Sequence, residues 1–374
     1  MSAPREKTLR TLARRRDGRR WIMKAFLLLG LVLLVAISGY GGAQLRVDQA
    51  VYDFGEVTEG YVVNCTFLIA NVGDAPAKFT YPPITSCGCT TAPLPKQELA
   101  PGESMELPVL FDSSGYGGKE VTETVTLYVE GESPLRLVLQ GYVRPAEEHQ
   151  RPASALFYSY YILVDVRPPE AFARGHLLGA VNIPLGELPE LMSRLPEGTR
   201  AVPIFIYDEN GEGASRAARA LVDGGFYFAR GLAGGLSGWW QAYGGLFWLG
   251  EVPAHLGPLE EGGKTVPPER LARDYLLLLD LRPAEEFAQG HLPGAVNPAP
   301  EDLPGWVWGL PRPKDLPAGA GFTVWCLDED GTVASQVAGS LRAVGLNACA
   351  MVGGLGQWRQ LYEEDLFESA PSQR

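Results

Sequence analysis

Basic residues are scarce through most of this 374-residue chain. Nine of its 32 Lys and Arg fall in the first 24 positions, beside two acids. The rest carries 23 basic against 42 acidic side chains, a net of −19. A body that acidic repels phosphate backbones, so nucleic acid is a poor partner. Histidine and cysteine are also few, at 4 and 5. Only Cys87 and Cys89 stand close together, no histidine lies near them in sequence, and two sulfurs do not complete a zinc shell. No metal site and no cofactor are expected. Glycine (45) and proline (30), by contrast, are plentiful, which predicts many turns. The length allows two or three domains.

Charge is absent altogether from residues 25–40, AFLLLGLVLLVAISGY. Arg14 to Arg16, Arg19, Arg20 and Lys24 precede this run. Counted from Trp21, about 20 residues are available, close to what a membrane-crossing helix needs. Positive flanks stay in the cytoplasm, so everything after Tyr40 is expected outside. RRWIMK is similar to a twin-arginine export signal. Gly41-Gly42-Ala43 offers only a weak cleavage site, which favours a retained anchor. The expectation is a cytoplasmic basic segment over 1–24, a single-pass transmembrane anchor or signal over 25–43, and an extracytoplasmic remainder in the cell envelope.

From 45 to 145 the apolar period is two. Cys65, Phe67 and Ile69 share a face, as do Met105, Leu107, Val109 and Phe111. The same holds for Val121, Val125, Leu127 and Val129, and for Leu135, Leu137 and Leu139. The turn sequences NVGDAP, APGES, SSGYGG and EGESP separate these runs, which predicts an antiparallel β-sandwich. The order VYDFGEVTEG, FLIANVGDAPAKF, TSCGCT, LAPGESMELPVLFD resembles a family of bacterial exported Ig-like domains of unknown function. That resemblance implies a fold and an envelope location but no reaction. Cys87-Gly88-Cys89 is the chemical feature of the region. Outside the cytoplasm the pair tends to oxidise, and a bridge across one residue closes a small ring. The open readings are a redox-active pair, a soft-metal site, or a structural bridge or packed pair that involves Cys65.

The remainder is one unit written twice. LVDVRPPEAFARGHLLGAVNIP (163–184) returns as LLDLRPAEEFAQGHLPGAVNPA (278–299), and IFIYDENGEGASRAARAL (204–221) as VWCLDEDGTVASQVAGSL (324–341). The units close on GGLSGW and GGLGQW. Apolar runs alternate with helical segments, which predicts parallel sheets covered by helices, with a ligand site at the strand ends. Asp165, Arg167, Glu170, Phe172, Gly175, His176, Gly179, Ala180, Asn182 and Pro184 in the first unit resemble the rhodanese pattern. So do Asp280, Arg282, Glu285 or Glu286, Phe287, Gly290, His291, Pro293, Gly294, Ala295 and Asn297 in the second. The fold expected is therefore multidomain: an N-terminal transmembrane helix, an all-β Ig-like sandwich over 45–145, and two α/β rhodanese-like domains with parallel sheets over 155–249 and 266–365. The stretches 144–154 and 250–270 are expected to be linkers with some freedom. His176 and His291 are expected to be structural.

The resemblance implies a sulfur-carrying cysteine at the first residue of the strand-to-helix loop, where a helix N-terminus lowers its pKa. Asp208 and Asp328 stand there instead, followed by Glu209 and Glu329. A carboxylate cannot carry a persulfide, but it can cap the loop amides, worth about 1 kcal/mol. Cys326 lies two residues before Asp328, about 6.6 Å deeper at strand rise, and Cys349 sits in a strand-like core run. CLDEDGT also resembles a phosphatase motif in which Asp328 and Asp330 would hold magnesium, but the matching DENGE loses the second carboxylate. Three functions follow. The first is a scaffold or binding protein whose partner is an unknown protein. The second is a thiosulfate-type sulfurtransferase using Cys326. The third is a thiol-redox or metal-handling protein using Cys87 and Cys89.

Overall fold

The computed structural model describes residues 42–188, 200–253, 256–258 and 263–362. Apart from its last two residues, the expected anchor over 25–43 lies outside them. No helix among the described residues is long and apolar enough to cross a membrane.

Residues 45–144 form two facing four-stranded sheets. One runs in the order Leu45–Val47, Val62–Asn71, Ser104–Asp112, Thr90–Thr91. The other runs Val51–Thr58, Leu135–Arg144, Lys119–Leu127, Ile84–Thr85. The predicted alternation sets the faces: Phe67, Ile69, Leu107, Val109, Phe111, Val125, Leu137 and Leu139 are all buried in one core. The sheets are not wholly antiparallel, as the sequence suggested, because Val51–Thr58 runs parallel to Leu135–Arg144. Val51–Thr58 and Val62–Asn71 follow each other in the chain but lie in opposite sheets. No hairpin therefore fixes the direction of Val51–Thr58 within its own sheet.

Each repeat unit builds a five-stranded parallel sheet flanked by helices, as expected. The two sheets exchange their edge strands. The first unit's sheet runs Ala180–Asn182, Ile162–Asp165, Ile204–Tyr207, Ala229–Leu232 and then Thr265–Val266, which lies at the start of the second repeat. The second unit's sheet runs Ala295–Val296, Tyr275–Asp280, Phe322–Leu327, Ala348–Met351 and then Gln150–Arg151, from the start of the first. The stretches read as loose linkers thus each contribute a strand to the opposite unit. The expected boundaries at 155–249 and 266–365 cut through this exchange.

The pairing is pseudo-symmetric. Tyr160 donates its hydroxyl to the Pro293 carbonyl at 2.8 Å, and Tyr275 donates to Leu178 at 2.7 Å. Gly179 and Gly294 meet back to back. Both have positive φ, and a Cβ on Gly294 would lie 2.7 Å from the Gly179 carbonyl oxygen. The apolar core is continuous across the pair: Val164 and Ile206 share one cluster with Leu276, Leu278, Trp325 and Trp358.

The β-domain docks on the second unit, although the first is its neighbour in the chain. The buried Gln357 accepts the Val62 amide proton at 2.9 Å, and the Tyr61 ring lies against Gly353.

Candidate functional site

In the first unit, strand Ile204–Tyr207 ends at Asp208, and the chain turns through Gly211 (φ 99°) into helix Glu212–Asp223. A turn that exposes amides at a helix start is an anion cradle. The chain fills it itself: Asp208 accepts the Gly211 amide at 2.5 Å and the Gly213 amide at 2.6 Å. The second unit repeats this. Asp328 accepts the Gly331 amide at 2.7 Å and the Val333 amide at 2.8 Å, ahead of helix Thr332–Ala343. Burial holds the Asp328 carboxyl above the usual carboxylate range, against the pull of those amides.

The closing glycines bring a second segment onto each loop. The Leu236 and Leu355 amides donate to the Asp208 and Asp328 carbonyls, both at 2.8 Å. The approach requires glycine. A Cβ on Gly354 (φ 58°) would lie 2.6 Å from the Asp328 carbonyl oxygen.

Beneath each loop lies a buried ion pair. Arg167 grips Asp165 through Nε at 2.9 Å and Nη2 at 2.5 Å, and donates from Nη2 to the Gly175 carbonyl at 2.7 Å. Arg282 does the same to Asp280 (3.0 and 2.7 Å) and to Gly290 (2.8 Å). Asn182 and Asn297 each tie together the carbonyls of their own Asp and Arg. His176 and His291 stack on Phe172 and Phe287 at 3.9 and 3.8 Å, each with Nδ1 3.0 Å from that residue's carbonyl. These are packing and positioning contacts, as the sequence suggested for the histidines. The Asp–Arg pairing was not read from sequence. The signal was there in the twice-written Asp-x-Arg, which two residues apart allows a local fork.

Cys326 lies inside strand Phe322–Leu327, fully buried and flanked by Leu279 and Ala350 on neighbouring strands. Burial pushes its thiol far above the ordinary range. Cys349 is also buried, with its thiol pushed up by burial. Asp330, the second acid of the phosphatase-like motif, accepts the Thr332 amide at 2.8 Å, so both its carboxylate and that of Asp328 already cap the loop. A cleft of about 350 Å³ adjoins the first loop, lined by Arg167, Arg174, Glu209, Trp248, Glu251 and Leu256 among others. The second loop faces a cleft of about 430 Å³ roofed by the β-domain.

Cys87 and Cys89 are joined in a disulfide, and Cys65 is a separate free thiol in the β-core, raised to about 12 by burial. Glu123 joins the sulfurs as the one metal-capable cluster among the described residues. Its position could have been found: it shares the inward register of Val121, Val125 and Leu127, so a carboxylate interrupts an apolar stripe.

The rhodanese-like domain family matches residues 146–242 and 268–361, and a protein family of unknown function, DUF1573, matches 45–143. The chain is 39% identical over 77 residues to the uncharacterized protein YqhL of Bacillus subtilis, covering 21% of this chain and 59% of that protein's length. It is 29% identical over 110 residues to the chloroplastic thiosulfate sulfurtransferase 16 of Arabidopsis thaliana, covering 25% of this chain and 92% of that one. Among solved structures, a thiosulfate sulfurtransferase from Pseudomonas aeruginosa overlaps 59% of this chain and 43% of its own, at 23% identity and a TM-score of 0.21. With its two matched repeats and their shared loops, the chain belongs to the rhodanese-like domain family, in tandem and preceded by a DUF1573 domain.

Proposed function

We propose that the rhodanese-like pair binds a protein partner rather than transferring sulfur, and that the basic, apolar N-terminus anchors it outside the cell membrane on an Ig-like stalk. One observation carries the reading. In both units a carboxylate stands where a thiol would be needed, and its oxygens take the amides that would hold a persulfide. A carboxylate has no sulfur chemistry, and its negative charge opposes an anionic donor such as thiosulfate. Cys326 offers no substitute: it is fully buried, and its thiol resists ionisation. The cleft beside the first loop, with Arg174 and Glu251 at its rim, supplies a surface for recognition.

The test is a cyanide-dependent thiosulfate assay on the full chain. Turnover at the level of the buffer blank is expected. Turnover that Cys326→Ser abolishes would overturn the proposal in favour of the sulfurtransferase. Alkaline extraction of membranes tests the anchor, which fails if the chain is released into the wash.

A further inference from the structure

The Cys87–Cys89 pair sits where the chain crosses from one β-sheet to the other. Ile84–Thr85 pairs with Lys119–Leu127, and five residues later Thr90–Thr91 pairs with Ser104–Asp112 in the opposite sheet. The crossing is tied down: Asp112 donates its amide to the Cys89 carbonyl at 2.9 Å, and the Thr85 hydroxyl donates to the Cys87 carbonyl at 2.9 Å. The two sulfurs are not equivalent. Cys89 packs against the β-core, and its Sγ lies 3.1 Å from the Tyr116 hydroxyl. Cys87 lies outside that core. The intervening Gly88 is exposed, and a Cβ there would meet open space, so a reagent can reach the bridge.

Behind the bridge is a carboxylate that plays no part in the rhodanese-like loops. Glu123 is buried at 8% exposure in an otherwise apolar register. Its Oε1 accepts the Tyr116 hydroxyl at 3.1 Å, and its Oε2 is held by the Ser86 hydroxyl. Its carboxylate lies within 4.8 Å of both sulfurs. Burial, with the Glu123 charge and hydrogen bond behind it, raises the Tyr116 phenol above its ordinary value, so it stays a donor at neutral pH. Both oxygens of this carboxylate are thus met by hydroxyl donors, and it holds the Tyr116 hydroxyl beside an accessible disulfide.

We propose that Cys87 and Cys89 are a working dithiol–disulfide couple that oxidises external dithiols, with Tyr116 donating a hydrogen bond to the departing Cys89 sulfur and Glu123 holding that phenol in place. The thiolate of the incoming dithiol attacks Cys87 Sγ. The Cys87–Cys89 bond breaks, and its electron pair leaves on Cys89 Sγ as a thiolate, stabilised by the Tyr116 hydroxyl as it turns from Glu123. The second thiol of the donor, losing its proton to solvent, attacks the donor's own sulfur in the mixed disulfide. That releases Cys87 and a cyclic disulfide. The protein gains two electrons and takes up two protons from solvent, and the donor loses the same.

The test uses the purified full chain, dithiothreitol as donor, alkylation to quench, and mass spectrometry to count modified Cys87 and Cys89. Buried Cys65, Cys326 and Cys349 report any unfolding. The wild-type pair is expected to open with the fold intact and to close again on removal of the donor. Tyr116→Phe keeps the ring contact with Phe111 and is expected to slow opening about tenfold, the rate equivalent of one hydrogen bond to a charged sulfur. Glu123→Gln still offers the phenol an acceptor and should retain most of the rate, whereas Glu123→Leu should match Tyr116→Phe. The proposal is overturned if Tyr116→Phe slows opening by less than roughly threefold. It is also overturned if the pair opens only when the buried thiols become reactive, or if the reduced chain holds zinc and no longer exchanges.

Discussion

The two repeat units carry the same loop, ion pair and histidine stack, yet their loop mouths are covered by different things. The first is covered by its own chain: Ser237 donates to the Gly257 carbonyl at 2.7 Å, and Glu251, Val252, Pro253 and Leu256 line the cleft beside the loop. The second is covered by another domain. At the repeat position where the first unit has Gly238, packed hard against the Ala233 carbonyl, the second has Gln357, which reaches the Val62 backbone of the β-domain. Two neighbouring differences between copies, Ser237 against Gly356 and Gly238 against Gln357, thus accompany a self-covered unit and a docking unit. The two units share the machinery that shapes the loop and differ in what surrounds it.

The largest effects are expected in the part the two units share. Asp165→Asn and Asp280→Asn each leave a buried guanidinium short of its counter-charge, and each should cost about 3–5 kcal/mol in guanidinium chloride denaturation. Because the geometries match and the cores are continuous, the two losses should be similar and the unfolding should remain one transition. A silent variant in either unit would show that the copies are not equivalent. A sharper test is Gln357→Gly, which gives the second unit the first unit's residue. It leaves the Val62 amide unpaired and should cost about 1–3 kcal/mol. Calorimetry should then resolve a separate β-domain transition, and an unchanged single peak would mean the docking rests elsewhere. The smallest effect concerns the pseudo-symmetry itself. Tyr160→Phe and Tyr275→Phe should each cost about 0.5–1.5 kcal/mol, and a marked inequality would show the axis to be only approximate.

Much of this was legible because repetition and periodicity are local signals. The Asp-x-Arg and Gly-His strings marked the units. The carboxylates at 208 and 328 announced loops that cap themselves, and the inward registers of the β-domain followed from alternation alone. What was hidden depends on distant partners. Gln150–Arg151 and Thr265–Val266 are two-residue strands, and nothing in so short a run says which of two near-identical sheets it will join. Tyr116 and Glu123 stand 27 and 34 residues from Cys89, too far for spacing to connect them, although the break in the apolar stripe at 123 was a clue. The parallel pairing of Val51–Thr58 depends on which sheet the chain enters next, and alternation cannot report that.

The crossed edge strands bear on how this protein can be made and divided. As the chain is synthesised, the first sheet stands with an open edge until Thr265 and Val266 arrive from the far side of the repeat, and open edges recruit whatever strand is near. A gene cut between the repeats would yield two incomplete halves rather than two free-standing domains. The missing piece of each would reside in the other, so the halves are expected to recover a native body only when expressed side by side.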